Sequence, residues 1–378
     1  MAWPILLLVR ELDLGGSERQ MTAIAKTLDR SRFEPIVACF RLSGVRRKEL
    51  DAAGVEIAHF PVNSFASRRV PLEAWKLAAF IRRRNIRLVH TFDYPLTVFA
   101  VPAARLFTGA LVLSSQRGHR SLIPPGYRRL VRLTDHLVDG IVVNCEFVRR
   151  HLECDEHISV SKIRVCYNGV DAGEFCPGES GWPSRPRPET RLADALIVGV
   201  VAALRPEKNV PMLLEAFASL RRDTRLLKLV VVGSGPVLPA LKHQAAALGI
   251  AADCTFVPGT AHVRDWLRSI DLFVLPSRSE ALSNSLMEAM ACGCCALASE
   301  VGGNPELVQH LETGMLFDSG DVSGLTAALE TLIDNESLRR RLADSGMRRI
   351  RERFSIRSAA EQMGQIYSQF IEPKTDVR

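Results

Sequence analysis

The hydrophobic positions of this chain fall into short runs separated by amphipathic stretches, and the alternation persists from end to end. In the first half, apolar runs occupy 5–9, 35–40, 55–60, 88–92, 110–114 and 140–144. Each is strand-sized and too short for an ordinary helix. Between them, stretches such as 18–28 and 72–84 carry apolar residues at three- and four-residue spacing, the period of a helix with one buried face. Strands that read as continuous apolar runs are buried on both sides, so the rhythm predicts a parallel sheet with helices on both faces. On the 72–84 helix, Leu72, Trp75, Ala79 and Phe80 form the stripe expected to face the core, leaving Lys76 and Arg83 outward.

The rhythm breaks at 177–188, where Pro177, Gly178, Gly181, Pro183, Pro186 and Pro188 rule out helix and central strand. It resumes with runs at 196–204, 229–232, 255–257, 272–275, 296–299 and 315–317. The chain then becomes helical, is interrupted at Phe354-Ser355, and ends in a helix over 356–370. The pattern predicts an α/β protein of two doubly wound domains, over 1–177 and 195–353, with a Pro/Gly-rich linker at 178–194 and a C-terminal helix and tail at 354–378. Sheets of this kind bind ligands at the C-terminal ends of their strands. Two of them facing across a cleft would hold the working site between them.

Composition narrows the possibilities. With 378 residues, 47% hydrophobic and 24% charged, the chain is neither disordered, collagen-like nor a disulfide-stapled miniprotein. No stretch approaches the ~18 apolar residues of a membrane span. The run near the start lacks a basic leader and stops at Arg10-Glu11, which favours a buried strand over a signal peptide. The nine cysteines, including the group Cys292, Cys294 and Cys295 with no histidine close by, read as reduced thiols of a cytoplasmic protein. The net charge of +7 is local: residues 60–150 hold 15 basic and 5 acidic side chains, whereas 181–378 hold 23 of each. The arginine clusters at 68–69, 82–84, 128–129 and 149–150 suit an anionic membrane or a solvated surface. Without interleaved aromatics or a recognition motif, they do not suit nucleic acid.

The chemistry concentrates in the second half. The window 277–293 follows a strand and enters a helix near Asn284, with Glu280 in the loop and Glu288 in the helix. Turn amides and a helix N-terminus seat phosphate, and Asn284 and Ser285 stand at that position. Three further segments each follow a strand: Arg205-Pro206-Glu207-Lys208-Asn209, Val232-Gly233-Ser234-Gly235-Pro236 and Gly302-Gly303-Asn304-Pro305-Glu306. Near the start stands Leu14-Gly15-Gly16-Ser17-Glu18-Arg19. In this order and spacing the set resembles the family-4 (group 1) glycosyltransferases of the GT-B fold, over essentially the whole chain.

That resemblance implies an enzyme moving a sugar from a nucleotide-diphosphate donor, of UDP or GDP type, to a hydroxyl of a glycan or lipid-linked glycan. It places the activity in cell-envelope polysaccharide or glycolipid synthesis, at the inner face of the cytoplasmic membrane. It implies retention of anomeric configuration, with the C-terminal helix crossing back to the first domain. Arg205 and Lys208 would bind the diphosphate, and Glu280 would face the transferred sugar. Glu288 would hold the ribose, the backbone near Val257 the base, and Gly16, Asn284, Ser285 and Asn304 would complete the donor site. Family members often carry a histidine after the strand at 111–114; here the row reads Gln116-Arg117-Gly118-His119, so Arg117 or His119 is the candidate, and His119 also reads as a solvated loop residue. His90 and Asp93, at the end of the 88–92 run, are further acceptor-side candidates. No D-x-D occurs in the chain. Hard carboxylate ligands for Mg²⁺ or Mn²⁺ are therefore not grouped in the expected way, and the expectation is a metal-independent enzyme with no cofactor. Two alternatives remain open. A nicotinamide oxidoreductase lacks support because Leu238 stands where the third glycine of G-x-G-x-x-G belongs. A catalytically silent nucleotide-sugar-binding subunit would keep the same motifs.

Overall fold

The computed structural model describes residues 2–178, 195–220 and 226–372. Most of the linker read at 178–194, and the tail from 373, lie outside the described residues. The chain forms two compact units, Met1–Gly169 with Ile356–Arg378, and Val170–Ser355.

The first unit is built on seven parallel strands: β1 (Trp3–Val9), β2 (Phe33–Cys39), β3 (Glu56–His59), β4 (Leu88–Thr91), β5 (Leu111–Gln116), β6 (Gly140–Val143) and β7 (Ile163–Val165). Their spatial order is β3-β2-β1-β4-β5-β6-β7. Leu7 pairs in register with Val37 on one side and His90 on the other. The chain leaves β1 in one direction and returns to β4 on the other side, so the topological switch point lies between these two strands. The connecting helices are α1 (Gly16–Thr27), α2 (Arg46–Ala52), α3 (Val70–Arg83), α4 (Tyr94–Phe107), α5 (Pro125–Thr134) and α6 (Glu146–Cys154). Right-handed crossovers put α3, α4 and α5 on one face of the sheet and α1 and α2 on the other. The edge strand β7 had no apolar run to announce it, because three residues interrupted by Arg164 carry no periodic signal.

One helix is turned the other way from its expected orientation. The buried face of α3 is Glu73, Leu77, Ala78 and Ile81, while Leu72 is 50% and Trp75 62% exposed. The helix carries two apolar stripes, and the sheet takes the one containing Leu77 and Ile81. Leu72 and Trp75 therefore share the solvent side with Lys76 and Arg83.

The second unit repeats the architecture with six parallel strands, β8 (Leu196–Val201), β9 (Leu227–Val232), β10 (Cys254–Val257), β11 (Leu272–Leu275), β12 (Cys295–Ser299) and β13 (Met315–Phe317). The order is β10-β9-β8-β11-β12-β13, which puts its switch point between β8 and β11. Its helices are α7 (Val210–Ser219), α8 (Leu238–Ala247), α9 (Val263–Ser269), α10 (Asn284–Ala291), α11 (Asn304–Leu307), α12 (Val322–Asp334) and α13 (Glu336–Arg353). The core packs Val198, Val200, Leu229 and Val231 from the strands against Leu213 and Phe217 of α7 and Leu325 and Leu329 of α12. Each such side chain contributes roughly 1.5–3 kcal/mol by leaving water.

The last helix, α14 (Ile356–Ile371), belongs to the first unit. Its Met363, Ile366, Tyr367 and Ile371 join the core formed by Ile5, Leu7, Met21 and Ile24. The chain thus ends in the unit where it began, and two doubly wound α/β units stand as the sequence rhythm predicts.

Candidate active site

In the second unit, the loops that carry the sequence motifs meet around the switch point and are tied to one another by hydrogen bonds. Arg205 leaves β8 and caps a short 3-10 turn over Pro206–Lys208. Asn209 then adopts a left-handed φ of 50° and opens α7. Across the switch point, the Arg278 N–H donates to the Glu207 carbonyl at 2.8 Å. Lys208 Nζ donates to Glu280 Oε1 at 2.6 Å, and Ser277 Oγ donates to the same oxygen at 2.7 Å. Glu280 is 8% exposed; an isolated carboxylate at such a position would lose its hydration, and the lysine and serine replace it.

The neighbouring loops close the arrangement. The Gly303 N–H donates to the Ala281 carbonyl at 2.7 Å. Gly302 has φ +58°, and a Cβ there would lie 1.9 Å from the Glu280 carbonyl oxygen, so only glycine lets this loop approach. On the other side, the Leu204 N–H donates to Ser234 O at 2.9 Å, and Gly233 N–H donates to Val257 O at 2.8 Å. Gly233 and Gly235 are explained by this packing: a Cβ on either would meet the carbonyl of Ala202 or Leu204 at 1.9 or 2.2 Å. They serve contact between loops, which needs no third glycine at 238.

The helix that follows Glu280 begins at Asn284, where the sequence predicts it. Ser283 caps α10 by accepting from the Leu286 N–H at 3.3 Å, and Asn284 and Ser285 form the first, half-buried turn. The backbone N–H groups of that turn lie at the positive end of the helix dipole. Glu288 is one turn further on and 3% exposed. Arg205 is exposed and makes no side-chain hydrogen bond among the described residues. Val257 ends β10 half-buried, with its carbonyl already accepting from Gly233. The Asn304 side chain is fully buried; its amide N–H donates to Ser299 O at 3.0 Å, while Oδ1 has no hydrogen-bond partner among the described residues.

The first unit gathers a second cluster at its own switch point. Asp93 caps α4, accepting from the Leu96 N–H at 3.0 Å and from the Arg10 N–H at 2.8 Å. Both carboxylate oxygens are thereby committed to backbone, and Asp93 joins the ends of β1 and β4 as a structural residue, not a free acceptor-side group. His90 is likewise corrected. It has no exposed surface, Nδ1 faces the Tyr367 hydroxyl at 2.7 Å, and Nε2 faces Ser115 Oγ at 2.9 Å. Burial, reinforced by Arg117, pushes it down to about 3, so it is a neutral core residue.

Arg117 is half-buried over the Phe92 ring and donates to Asn168 Oδ1. Burial lowers it to about 10, which leaves it cationic at neutral pH. His119 belongs to another neighbourhood. It caps the turn Arg120–Leu122 and stacks on His151 with ring centroids 3.7 Å apart. With Asp155 these histidines bring possible ligand atoms within 4.8 Å. However, His151 accepts from the Arg120 N–H with Nε2 and faces Asp155 with Nδ1, which leaves it no lone pair for an ion.

Gly16, which the resemblance places in the donor site, is exposed at the start of α1. Glu18, two residues on, is 7% exposed and folds back over Gly15, where a Cβ would lie 2.0 Å from Glu18 Oε2. Burial, with Asp93 adding to it, pushes the Glu18 carboxyl up to about 7. The Gly-Gly-x-Glu spacing was visible in the chain, but nothing in it showed that the carboxyl turns inward.

Comparison with known proteins decides the family. Residues 14–174 match the family model described as Glycosyltransferase Family 4, and residues 185–349 match Glycosyl transferases group 1. The N-acetyl-alpha-D-glucosaminyl L-malate synthase of Bacillus anthracis is 30% identical over 301 residues, which cover 78% of this chain and 77% of that protein. The chain belongs to the family-4, group 1 glycosyltransferases. Among other family members, the GDP-mannose-dependent alpha-(1-6)-phosphatidylinositol monomannoside mannosyltransferase of Mycobacterium tuberculosis is 31% identical over 257 residues, 64% of this chain. The chain spans just under two thirds, 65%, of that relative's length. Among solved structures, Anabaena HepE in complex with UDP-glucose superposes with a TM-score of 0.85 at 20% identity, covering 97% of this chain and 99% of that one. Sucrose-phosphate synthase from Thermosynechococcus elongatus superposes with a TM-score of 0.80 at 18% identity, over 97% and 98%. The fold is the GT-B fold of the glycosyltransferases. No described helix is long and apolar enough to cross a membrane.

Proposed function

We propose that this protein transfers a sugar from a nucleoside diphosphate sugar to a hydroxyl of a glycan or lipid-linked glycan, in the synthesis of an envelope polysaccharide or glycolipid. The observation that carries this reading is the Lys208–Glu280 pair at the second unit's switch point, beside the N-terminus of α10. A diphosphate seated on the first turn of α10 meets backbone N–H donors and the cations of Lys208 and Arg205. As the bond between the anomeric carbon and the diphosphate oxygen breaks, the electron pair leaves on that oxygen, and these groups stabilise the charge. The acceptor oxygen bonds to the same carbon and releases its proton. Glu280 faces the sugar, and Glu288 the ribose.

The donor is of UDP or GDP type. The mannosyltransferase relative is named for GDP-mannose, and HepE was solved with UDP-glucose. The reaction retains anomeric configuration and needs no metal, since cationic side chains occupy the role that D-x-D carboxylates and a divalent ion fill elsewhere. The enzyme works in the cytoplasm, at the inner face of the cytoplasmic membrane. The decisive experiment measures nucleoside diphosphate release across a panel of UDP and GDP sugars, with and without membrane lipid extract, in buffer and in excess EDTA. Release with one donor, dependent on extract and insensitive to EDTA, is the expected result. Absence of release with every donor would reject the transfer reading, and loss in EDTA restored by Mn²⁺ would reject metal independence.

A further inference from the structure

Helix α11 is a single turn of four residues, too short to keep its shape by internal hydrogen bonds alone. Groups from elsewhere in the second unit hold it at both ends. At its C-terminal end, Arg349 of α13 donates from Nη2 to Glu306 O at 2.8 Å, from Nε to Leu307 O at 2.9 Å and from Nη1 to Gln309 Oε1 at 2.9 Å. The last carbonyls of a helix have no partner within it and carry its negative end, so a guanidinium matches them in charge and in geometry. Three residues earlier on α13, Gly346 lets the two segments come close. A Cβ there would lie 2.7 Å from Thr313 O and 3.1 Å from Met290 Cε of α10. The Arg349 side chain is half-buried, with Cζ 5.9 Å from the centre of the Phe354 ring.

The N-terminal end of α11 meets the loop that carries Glu280. The Gly303 N–H donates to Ala281 O at 2.7 Å, and the Asn304 amide donates to Ser299 O at 3.0 Å. Gly302 packs on the Glu280 carbonyl so closely that a Cβ would lie 1.9 Å from its oxygen. Contacts this tight leave no slack, so a tilt of α11 displaces Gly302 and Gly303 and, with them, the backbone of Glu280 and Ala281. The Glu280 carboxylate meets Lys208 Nζ at 2.6 Å and Ser277 Oγ at 2.7 Å. A backbone shift of ~1 Å would take both beyond hydrogen-bond reach.

We propose that Arg349 is a positioning residue for Glu280: it clamps the end of α11, and the clamped helix holds Gly302 and Gly303 against the loop that carries the carboxylate. The consequence for turnover rests on the proposed role of Glu280 at the sugar; the mechanical coupling does not. Lysine is no substitute, because an ammonium on a flexible stem cannot engage three acceptors in the fixed directions of a planar fork.

The test compares the full chain with Arg349→Ala and Arg349→Lys, at a temperature where thermal melts show each to be folded. If the alanine variant does not fold, the lysine variant carries the same measurements. Amide hydrogen exchange without ligand should quicken by about tenfold or more over both 303–309 and 278–282, and stay at the parent rate over α7. Calorimetry with UDP and with GDP should find affinities within about twofold of the parent. In contrast, kcat for nucleoside diphosphate release should fall by about tenfold or more, because the carboxylate is misplaced. Free guanidinium, below the concentration that unfolds the protein, should restore kcat to Arg349→Ala, and the same concentration of ammonium should not. Faster exchange confined to 303–309, with 278–282 at the parent rate, would overturn the proposal by making Arg349 a local brace alone. Unchanged kcat in both variants would overturn it as well. A parent that releases no nucleoside diphosphate from any donor would instead reject the transfer reading, and exchange over 278–282 would still decide for or against Arg349.

Discussion

Lys208 and Glu280 are 72 residues apart in the chain, yet Lys208 Nζ donates to Glu280 Oε1 at 2.6 Å. The contact joins the loop after β8 to the loop after β11, the two strands that flank the switch point. Under the proposed function, Lys208 is the cation for the diphosphate and Glu280 the carboxylate for the sugar. Diphosphate arriving at Lys208 would then compete with Glu280 for the ammonium, coupling donor binding to release of the carboxylate.

Replacing Glu280 with alanine separates chemistry from binding. Turnover is expected to fall by about a hundredfold or more, while the nucleoside diphosphate Kd from calorimetry changes by only a few-fold. Turnover near the wild-type rate would remove Glu280 from the reaction.

Lys208→Ala acts on the other partner. Diphosphate affinity should fall by about tenfold or more because one charge-assisted donor is lost, whereas affinity for the bare nucleoside should not change. The variant also leaves the buried Glu280 with Ser277 as its remaining side-chain partner among the described residues. Urea unfolding should therefore show a loss of about 1–3 kcal/mol. Unaltered calorimetry with the diphosphate would exclude Lys208 from the donor site.

Glu18 predicts a pH dependence of stability. Burial holds its carboxyl at about 7 against an ordinary value of 4.5, so the folded chain binds more protons than the unfolded chain between these values. The stabilisation is fully present below about pH 4.5 and is lost as pH rises through about 7, a total on the order of 3 kcal/mol. Glu18→Gln cannot ionise. Denaturant unfolding should find it more stable than the parent at pH 8 and similar at pH 4.5; parallel profiles would show that Glu18 is not held protonated.

Tyr367→Phe tests the reading of His90 as a core residue. Removing the hydroxyl leaves Nδ1 without its 2.7 Å partner, which should cost about 1–3 kcal/mol in unfolding experiments. Turnover at a temperature where the variant is fully folded should be unchanged. A drop in turnover without a drop in stability would return His90 to the reaction.

Local pattern along the chain is enough to read the alternation of strands and helices, the two doubly wound sheets and the loops that hold the motifs. These follow from local period, since a run such as 272–275 is buried wherever the chain goes. The motif loops of the second unit were legible for a related reason: each follows directly from a strand end, and the order of the strands brings those ends together. The tertiary structure decided what local pattern left degenerate. Helix α3 carries two apolar stripes of similar strength, and only the shape of the sheet beneath selected Leu77 and Ile81 over Leu72 and Trp75. His90 lies in a strand where either face could have been open, and α14, returning from 277 residues away in sequence, closed it with Tyr367. Glu18 belonged to a visible motif, but its burial beside Asp93, which is 75 residues further along the chain, is set by the tertiary fold. Period reports which residues avoid water; which of two such faces wins, and which polar group is buried with it, depends on neighbours distant in the chain.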